Sequence, residues 1–259
     1  MISIPPKINT AGVDWTPIPL QQLLLVITDA IQHHRHLPIM HVNVHAINMA
    51  QDDAAFRTIL NDAPVVFCDG FGVRLGARIL GHRVPPRFTL PDWGWDLAAL
   101  SEQHGWTLFL LGDEPGVAEQ AVLRFHERHP RLQVVGTFHG FFDKQPDTTE
   151  NAAVIAAINA VRPNILILGF GMPLQERWLA ENWSQLDADV AITGGAAIRY
   201  IAGVTRRGPP WMTRFGLEWL ARLVIEPRRL WRRYVLGNPR FLWLVVSQRL
   251  RDRTSQPPP

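Results

Sequence analysis

The stretch Thr107-Leu-Phe-Leu-Leu-Gly-Asp-Glu-Pro-Gly116 decides the fold class of this chain. An apolar run of strand length leads into a glycine-bounded turn, and a helical pattern then continues to His129. Similar junctions occur at Ile165-Leu-Ile-Leu-Gly-Phe-Gly171 and Val65-Val-Phe-Cys-Asp-Gly70. Strands that alternate with helices predict an α/β fold in which a mostly parallel sheet carries helices on both faces.

The remaining pattern extends this alternation along the chain. Apolar runs with β-branched residues predict strands, and apolar residues at helical spacing predict helices. The predicted strands cover residues 37–44, 134–136 and 190–193, and the predicted helices cover 20–33, 46–60, 72–80, 92–104, 150–161 and 174–182.

Charge divides the chain into two unequal parts. The 259 residues carry a net charge of +3, but the segment from Arg206 to Arg253 holds twelve arginines against three acidic residues. Its local charge of +9 leaves about −6 on residues 1–205. We therefore predict an α/β catalytic body at 1–203, a basic, aromatic helical appendage at 204–253 and a disordered, proline-rich tail at 254–259.

The composition of the appendage indicates the partner. Clustered guanidinium groups favour a polyanion or an anionic lipid surface. Basic helices with tryptophan at the apolar edge are typical of membrane surfaces, and no recognition helix, zinc knuckle or ribonucleoprotein motif is visible, so we expect no nucleic-acid partner. The interleaved aromatic residues are Trp211, Trp219, Trp231, Tyr234 and Trp243.

The expected location is the cytoplasmic face of a membrane. The single cysteine, Cys68, fits a reducing compartment, and the first residues do not resemble a signal peptide. The longest apolar runs, such as residues 241–246, are far shorter than the roughly 20 residues of a spanning helix. These features predict a cytoplasmic protein that is peripheral on the inner face of the cell membrane.

The acidic residue Asp69 has two interpretations. It follows an apolar strand, where partial burial would raise the pKa of a carboxyl and suit it to act as a general base. Taken alone, the position favours a helix N-cap. The glycines at 112, 169 and 171 likewise suit either phosphate binding at helix N-termini or simple tight turns. Leu174 stands where a dinucleotide motif would need its third glycine, which argues against a nicotinamide enzyme.

The histidines and acidic pairs do not predict a metal site. His41 and His45 are four residues apart, but the predicted strand does not provide the helical geometry that a zinc pair needs. Asp187 and Asp189 resemble the acidic pair of metal-dependent transferases, yet such pairs are common in loops. We expect neither a metal nor another cofactor.

Five segments together resemble a known family. In order along the chain they are Asp69-Gly-Phe-Gly-Val-Arg-Leu-Gly-Ala-Arg-Ile-Leu-Gly81, Phe109-Leu-Leu-Gly-Asp-Glu-Pro-Gly-Val-Ala118, Val135-Gly-Thr-Phe-His-Gly-Phe-Phe142, Gly169-Phe-Gly-Met-Pro-Leu-Gln-Glu-Arg-Trp178 and Arg207-Gly-Pro-Pro-Trp-Met-Thr-Arg-Phe-Gly-Leu-Glu-Trp-Leu-Ala-Arg-Leu-Val-Ile-Glu-Pro-Arg-Arg-Leu-Trp-Arg-Arg233. The chain is similar, from about Leu20 to Trp243, to the WecG/TagA/CpsF family of bacterial glycosyltransferases, which is glycosyltransferase family 26.

The resemblance implies a reaction and its partners. Members transfer a sugar, with inversion and without a metal, from a UDP-sugar to a sugar on a polyprenyl diphosphate at the inner membrane, for surface polymers or exopolysaccharides. The resemblance implies a Rossmann-like α/β body with a helical appendage that docks on the membrane and completes the active site. A homo-oligomer is also compatible with the family.

Site residues follow from the matching positions. Asp69 matches the proposed base, Asn43 a pocket asparagine, Gln175 and Glu176 the Pro-x-Gln-Glu motif, and Arg87 a loop arginine. The glycines at 112, 169 and 171 are expected to bind substrate with them. Positions suited to gripping a diphosphate are Arg207, Arg214, Arg222, Arg228 and Arg229.

Three motifs depart from the family pattern. The usual Thr-x-Asn-x-Glu reads His41-Val-Asn-Val-His45, and a usual glycine is replaced by Leu90. Arg199 stands where the family has a pocket aspartate. With His41 and Arg199 in the expected site, the donor could differ from N-acetylmannosamine. The replacement of an acid by Arg199 could fit either a donor that carries a carboxylate or another neutral hexose. An alternative hypothesis is a non-catalytic member that binds lipid-linked sugar or acts as a scaffold.

Overall fold

The computed structural model describes residues 2–205, 212 and 218–254. A short antiparallel hairpin precedes a six-stranded sheet whose neighbouring strands are all parallel. The strands are β1 (Ile8–Thr10), β2 (Val13–Trp15), β3 (Leu37–Val42), β4 (Val65–Cys68), β5 (Thr107–Gly112), β6 (Gln133–Phe138), β7 (Ile165–Gly169) and β8 (Val190–Thr193). The order β4-β3-β8-β7-β5-β6 confirms the predicted α/β sheet.

Helices surround this sheet and continue into the C-terminal segment. A π-helical turn, Arg232–Leu236, joins the last two α-helices. The α-helices of the described residues are α1 (Leu20–Gln32), α2 (Val44–Asp52), α3 (Ala54–Asp62), α4 (Phe71–Ile79), α5 (Leu90–His104), α6 (Val117–Arg128), α7 (Thr149–Val161), α8 (Leu174–Asn182), α9 (Ala197–Ile201), α10 (Glu218–Ile225), α11 (Pro227–Trp231) and α12 (Gly237–Thr254).

The core lies on both faces of the sheet. Successive strand residues point to opposite faces, so Ile39 and Phe67 join one buried cluster while their neighbours Met40 and Val66 join the other. This explains why the central strands read as continuous apolar runs rather than alternating ones.

The single helix predicted over residues 46–60 is wrong, because Asp53 divides it into α2 and α3. The backbone of Asp53 leaves the helical region, with φ −131° and ψ 92°. Its carboxylate accepts a hydrogen bond from the N–H of Phe56 at 2.9 Å and so caps α3. Arg177 of α8 also donates to this carboxylate, which ties the break to the body.

The C-terminal helix α12 packs against the body. Phe241 and Val245 are buried in the second core cluster and lie over Gly76 of α4. A Cβ at Gly76 would lie 2.7 Å from Cζ of Phe241, so glycine permits the close approach. At the other end, the N–H of Ala11 donates to Oε1 of Gln248 at 2.7 Å.

Two predictions about the C-terminal part are not decided by this packing. The division of the chain near residue 203 stays a prediction, and most of the expected tail, residues 255–259, lies outside the described residues. Within the described part of the chain, no helix combines the length and the apolar composition needed to cross a membrane.

Candidate active site

A cavity of about 560 Å³ lies at the carboxyl ends of the central strands. Parallel α/β sheets bind ligands at this edge, where the strand order reverses. One wall comes from loops that follow the strands, and the other comes from α4 and the C-terminal helices. The polar and aromatic side chains that line the cavity are His41, Asn43, His45, Asp69, Phe71, Arg87, Thr89, Tyr200, Trp219, Arg222, Arg233, Tyr234, Asn238 and Phe241.

Asp69 lies directly after β4 and faces this cavity. Its N–H donates to the carbonyl of Val42 at the end of β3, which extends the sheet pairing by one residue. The interpretation of Asp69 as a helix N-cap is wrong, because Gly70 occupies that position with φ 152°, a conformation that favours glycine. Asp69 is the one carboxylate among the described residues that line the cavity.

His41 stands beside Asp69 at the end of β3. Its Nε2 is 3.9 Å from Oδ2 of Asp69, and its Nδ1 is 2.9 Å from the carbonyl oxygen of Thr193. The imidazole is buried, and burial is the main reason why its pKa lies below the ordinary value. Asp69 opposes this shift, and Arg233 adds to it.

Asn43 lies at the wall and also caps α2. Its side-chain oxygen accepts from the N–H of Ala46 at 3.0 Å, while its amide nitrogen is 3.9 Å from Sδ of Met172. The capping bond fixes the rotamer, so the amide nitrogen remains directed at the cavity edge. The structure thus places Asn43, His41 and Asp69 at the same cavity.

Gln175 and Glu176 do not line the cavity, since both side chains are fully buried beneath its floor. Gln175 Oε1 accepts from the N–H of Gly195 at 3.0 Å and from that of Gly171 at 3.3 Å. Its amide nitrogen donates to Glu176 at 2.7 Å. Burial raises the pKa of Glu176 to about 7, against the opposing hydrogen bonds from Gln175 and Thr193. Gln175 therefore holds two cavity loops in position.

The three glycines expected to bind phosphate have different roles. Gly112 and Gly169 pair in register at the ends of β5 and β7, and a Cβ on Gly112 would meet the Gly169 backbone at 2.5 Å. Neither residue lines the cavity, whereas Gly171 does. Glycine at 112 is thus required by the neighbouring strand end, and glycine at 169 by Ile198 of α9, whose Cδ1 would lie 2.8 Å from an added Cβ.

Arg199 lies outside the cavity wall. It is on α9, and its guanidinium group donates to Asp113 at 2.6 Å and reaches Glu114 at 2.8 Å. These acids follow β5, so Arg199 fastens α9 to that loop. The expectation that Arg199 faces the substrate is therefore not met by its position.

The arginines that were expected to bind substrate do not all lie at the cavity. Arg87 and Arg222 line the cavity, whereas Arg228 on α11 is exposed and does not. Arg207 and Arg214 lie outside the described residues, as does the side chain of Arg229.

Sequence reasoning missed several lining residues of the C-terminal segment. Arg233 and Tyr234 come from the π-helical turn, and Arg233 Cζ lies 5.5 Å from the Tyr234 ring centre. Arg222 Cζ lies 5.8 Å from the ring of Tyr200. The alternation of arginines with aromatic residues was the available signal, but it could not identify which of them face inward.

The Asp187 and Asp189 pair lies at the opposite edge of the sheet, just before β8. Asp187 pairs with Arg162 at 2.8 Å, and Asp189 accepts a hydrogen bond from Asn164 at 2.8 Å. Both acids therefore have structural partners. Across residues 2–205, 212 and 218–254, no group of three or more His, Cys, Asp or Glu side chains is arranged to hold a metal ion.

The fold and the cavity define an α/β protein with a carboxylate and several guanidinium groups around a ligand-sized space. The model of the glycosyl transferase WecG/TagA/CpsF family matches residues 8–255. The chain belongs to this family and is a glycosyltransferase, which confirms the resemblance found in the sequence.

Curated relatives agree with this assignment. The chain is 28% identical over 247 residues to N-acetylglucosaminyldiphosphoundecaprenol N-acetyl-beta-D-mannosaminyltransferase of Staphylococcus aureus strain NCTC 8325 / PS 47, covering 93% of this chain and 92% of the relative. The protein of the same name from Staphylococcus aureus strain MW2 is 27% identical over 247 residues, with the same coverage.

Proposed function

We propose that this glycosyltransferase moves a sugar from a UDP-sugar to a sugar carried on a polyprenyl diphosphate, with inversion at the anomeric carbon. The observation that carries the proposal is the presence of Asp69, Arg222 and Arg233 around one cavity. A carboxylate can deprotonate an acceptor, and guanidinium groups can bind the diphosphates of both substrates.

Asp69 serves as the general base in this proposal. It takes the proton of the acceptor hydroxyl while the acceptor oxygen attacks the anomeric carbon and the bond to UDP breaks. One displacement inverts that carbon. The support is that Asp69 is the carboxylate which the described cavity wall provides, and that it is partly open to the cavity, with its side chain 26% exposed.

Arginines stabilise the leaving group. Negative charge grows on the UDP oxygen as the sugar departs, and a guanidinium group stabilises it with charge-assisted hydrogen bonds. Arg222 and Arg233 of the C-terminal segment and Arg87 of the body face the same space. We infer that they replace a divalent cation, so the reaction proceeds without added metal.

The acceptor class is supported by the relatives. Their name describes transfer to N-acetylglucosaminyldiphosphoundecaprenol, and we infer a polyprenyl-diphosphate sugar for this chain too. The product would serve a bacterial surface polymer or exopolysaccharide. Since Arg199 is held by Asp113 and Glu114 outside the cavity wall, its replacement of an acid gives no reason to expect an anionic donor sugar.

The C-terminal helices would rest on the membrane that carries the acceptor. Their outer surface exposes several large apolar side chains, including Trp243 at 67% and Val224 at 74%. Exposed arginines such as Arg228 and Arg253 lie on the same helices. This combination suits the interface of an anionic bilayer.

The test measures release of UDP from a panel of UDP-sugars with a short-chain polyprenyl-diphosphate sugar as acceptor, in the presence of a chelator. We expect acceptor-dependent release with one donor, and loss of at least about 10²-fold in turnover for Asp69→Asn. Asp187→Asn is the matched control, because Asp187 lies at the opposite sheet edge.

Each result decides a different part of the proposal. Turnover near the wild-type rate in Asp69→Asn would remove the base role. Release that requires a divalent cation would remove the metal-independent mechanism. Membrane binding without UDP release for any donor would favour the non-catalytic alternative.

A further inference from the structure

His41 is the side chain that connects Asp69 to the interior of the sheet. It lies at the end of β3, its imidazole is 5% exposed, and its Nε2 is 3.9 Å from Oδ2 of Asp69. Asp69 extends from the end of the neighbouring strand β4. The contact therefore joins a partly exposed carboxylate to a buried group of fixed position.

The hydrogen bonds of His41 determine which nitrogen carries its proton. Nδ1 is 2.9 Å from the carbonyl oxygen of Thr193 and 3.1 Å from the Thr193 hydroxyl. A carbonyl oxygen only accepts hydrogen bonds, so Nδ1 must be the donor. In the neutral imidazole the lone pair then lies on Nε2, which is the atom that faces Asp69.

We propose that His41 is a positioning residue for proton transfer, an inference that rests on the proposed function, in which Asp69 is the base. When Asp69 takes the acceptor proton onto Oδ2, Nε2 of His41 accepts a hydrogen bond from the new O–H. The acceptor oxygen forms its bond to the anomeric carbon while the bond to UDP breaks, and UDP keeps the electron pair. The proton remains on Asp69 until it exchanges with water.

The distance of 3.9 Å is longer than a hydrogen bond. Catalytic hydrogen bonds are often long without substrate and shorten in the complex. Asp69 follows the strand and is partly exposed, so rotation of its side chain can bring Oδ2 to Nε2. His41 cannot move equally, because the bond from Nδ1 to Thr193 fixes its ring.

Burial keeps His41 neutral, so its Nε2 can accept a hydrogen bond. Burial and Arg233 lower its pKa, while Asp69 and the Thr193 carbonyl raise it, and the net direction is downward. Glu176, with a pKa near 7, also hydrogen-bonds Thr193 and titrates in its own right. Acidification adds a proton to the His41 and Asp69 pair, which removes the base and lowers activity.

Two substitutions separate the role of Nε2 from that of Nδ1. His41→Asn keeps a donor for Thr193 but has no atom at the position of Nε2, whereas His41→Gln can place an amide oxygen there. We expect His41→Asn to reduce kcat about tenfold or more with little change in KM, and His41→Gln to restore part of it. In His41→Asn the acidic limb of the kcat profile, which is the fall in kcat toward low pH, should move to lower pH, because protonated Asp69 has lost its hydrogen-bond acceptor. In His41→Gln the limb should lie between that of His41→Asn and that of the wild type.

Control variants isolate the effect. His126→Asn removes a histidine that also contacts a backbone carbonyl, that of Leu132 at 2.9 Å, but far along the chain on α6. We expect its kcat and its acidic limb to match the wild type. Glu176→Gln removes the ionisable carboxyl at this position, so any part of the pH profile of kcat that is due to Glu176 should disappear in this variant.

The measurements distinguish a wrong role for His41 from a wrong proposed function. A folded His41→Asn variant with wild-type kcat and an unchanged acidic limb overturns the role of His41. Full activity of Asp69→Asn overturns the base itself. If the Asn variant does not fold, nitrogen NMR of wild-type histidines decides, since a neutral His41 with its proton on Nε2 would contradict the inference and a proton on Nδ1 supports it.

Discussion

Gln175 donates a 2.7 Å hydrogen bond to Glu176, and both side chains are completely buried beneath the cavity. The pair therefore holds an ionisable carboxyl where water cannot solvate its charge. Burial raises the pKa of Glu176 to about 7, so the group binds a proton in the folded state over a range where the unfolded chain has released it.

Replacing Glu176 with glutamine should change how stability depends on pH. The favourable contribution of the protonated Glu176 is complete below its ordinary pKa of 4.5 and is lost as pH rises toward 7. The loss amounts to on the order of 3 kcal/mol. We expect Glu176→Gln to gain stability relative to wild type above pH 7, measured by urea unfolding across pH. If the unfolding free energies of the two proteins changed with pH in the same way, the result would contradict this prediction.

Gln175→Leu should disturb the loops that border the cavity. The change leaves the N–H groups of Gly171 and Gly195 without their acceptor. We expect a loss of about 1–3 kcal/mol in unfolding free energy and a lower kcat. Gln185→Leu, on an exposed residue, is the control. An unchanged kcat would mean that the loops keep their positions without Gln175.

Arg199→Ala should affect stability more than substrate binding. It removes the partner of Asp113, whose side chain is only 6% exposed. We expect a loss of about 1–3 kcal/mol, and a larger loss for Arg199→Asp, which adds a third carboxylate beside Asp113 and Glu114. Thermal unfolding and the KM for the donor measure the two effects. A large rise in KM without loss of stability would show that Arg199 contributes to substrate binding.

Arg222→Lys and Arg233→Lys should weaken donor binding. A lysine keeps the charge but cannot form the paired hydrogen bonds that a guanidinium group makes to a diphosphate. We expect KM for the UDP-sugar to rise about tenfold for each. Arg253→Lys, at the exposed end of α12, should behave like the wild type. If the KM values of all three variants equalled that of the wild type, the two cavity arginines would be excluded from donor binding.

Gly76→Ala should move α12 away from the body. The added methyl group would lie 2.7 Å from the Phe241 ring, which costs about 1–3 kcal/mol by overpacking. Because Arg233 lies on the segment that leads into α12, activity should fall as well. Combining the change with Phe241→Leu should recover part of both losses. Activity and unfolding curves that match the wild type would show that the helix is not held by this contact.

The sheet could be predicted because its signals are local. Apolar runs that end in glycine at 112 and 169 indicated strand ends, and Asp69 followed from its place after such a run. The break at Asp53 was missed because the apolar spacing continues across it. A side-chain cap competed successfully with the helix there.

The site was only partly predictable because side-chain direction depends on distant contacts. Arg199 pairs with Asp113, 86 positions away, and Gln175 turns inward to Gly195. Charge clustering located the C-terminal segment, but not Arg233 as a lining residue. Its direction depends on the π-helical turn and on the packing of Phe241, which no local pattern reveals.

The bond between Ala11 and Gln248 also bears on how the chain is made. The ribosome makes β1 and β2 before α12, so the N–H of Ala11 waits for Gln248 until that helix has been made. The wall that carries Arg222 and Arg233 comes from the same late segment. A chain that has been made only as far as β8 therefore lacks this wall of the cavity.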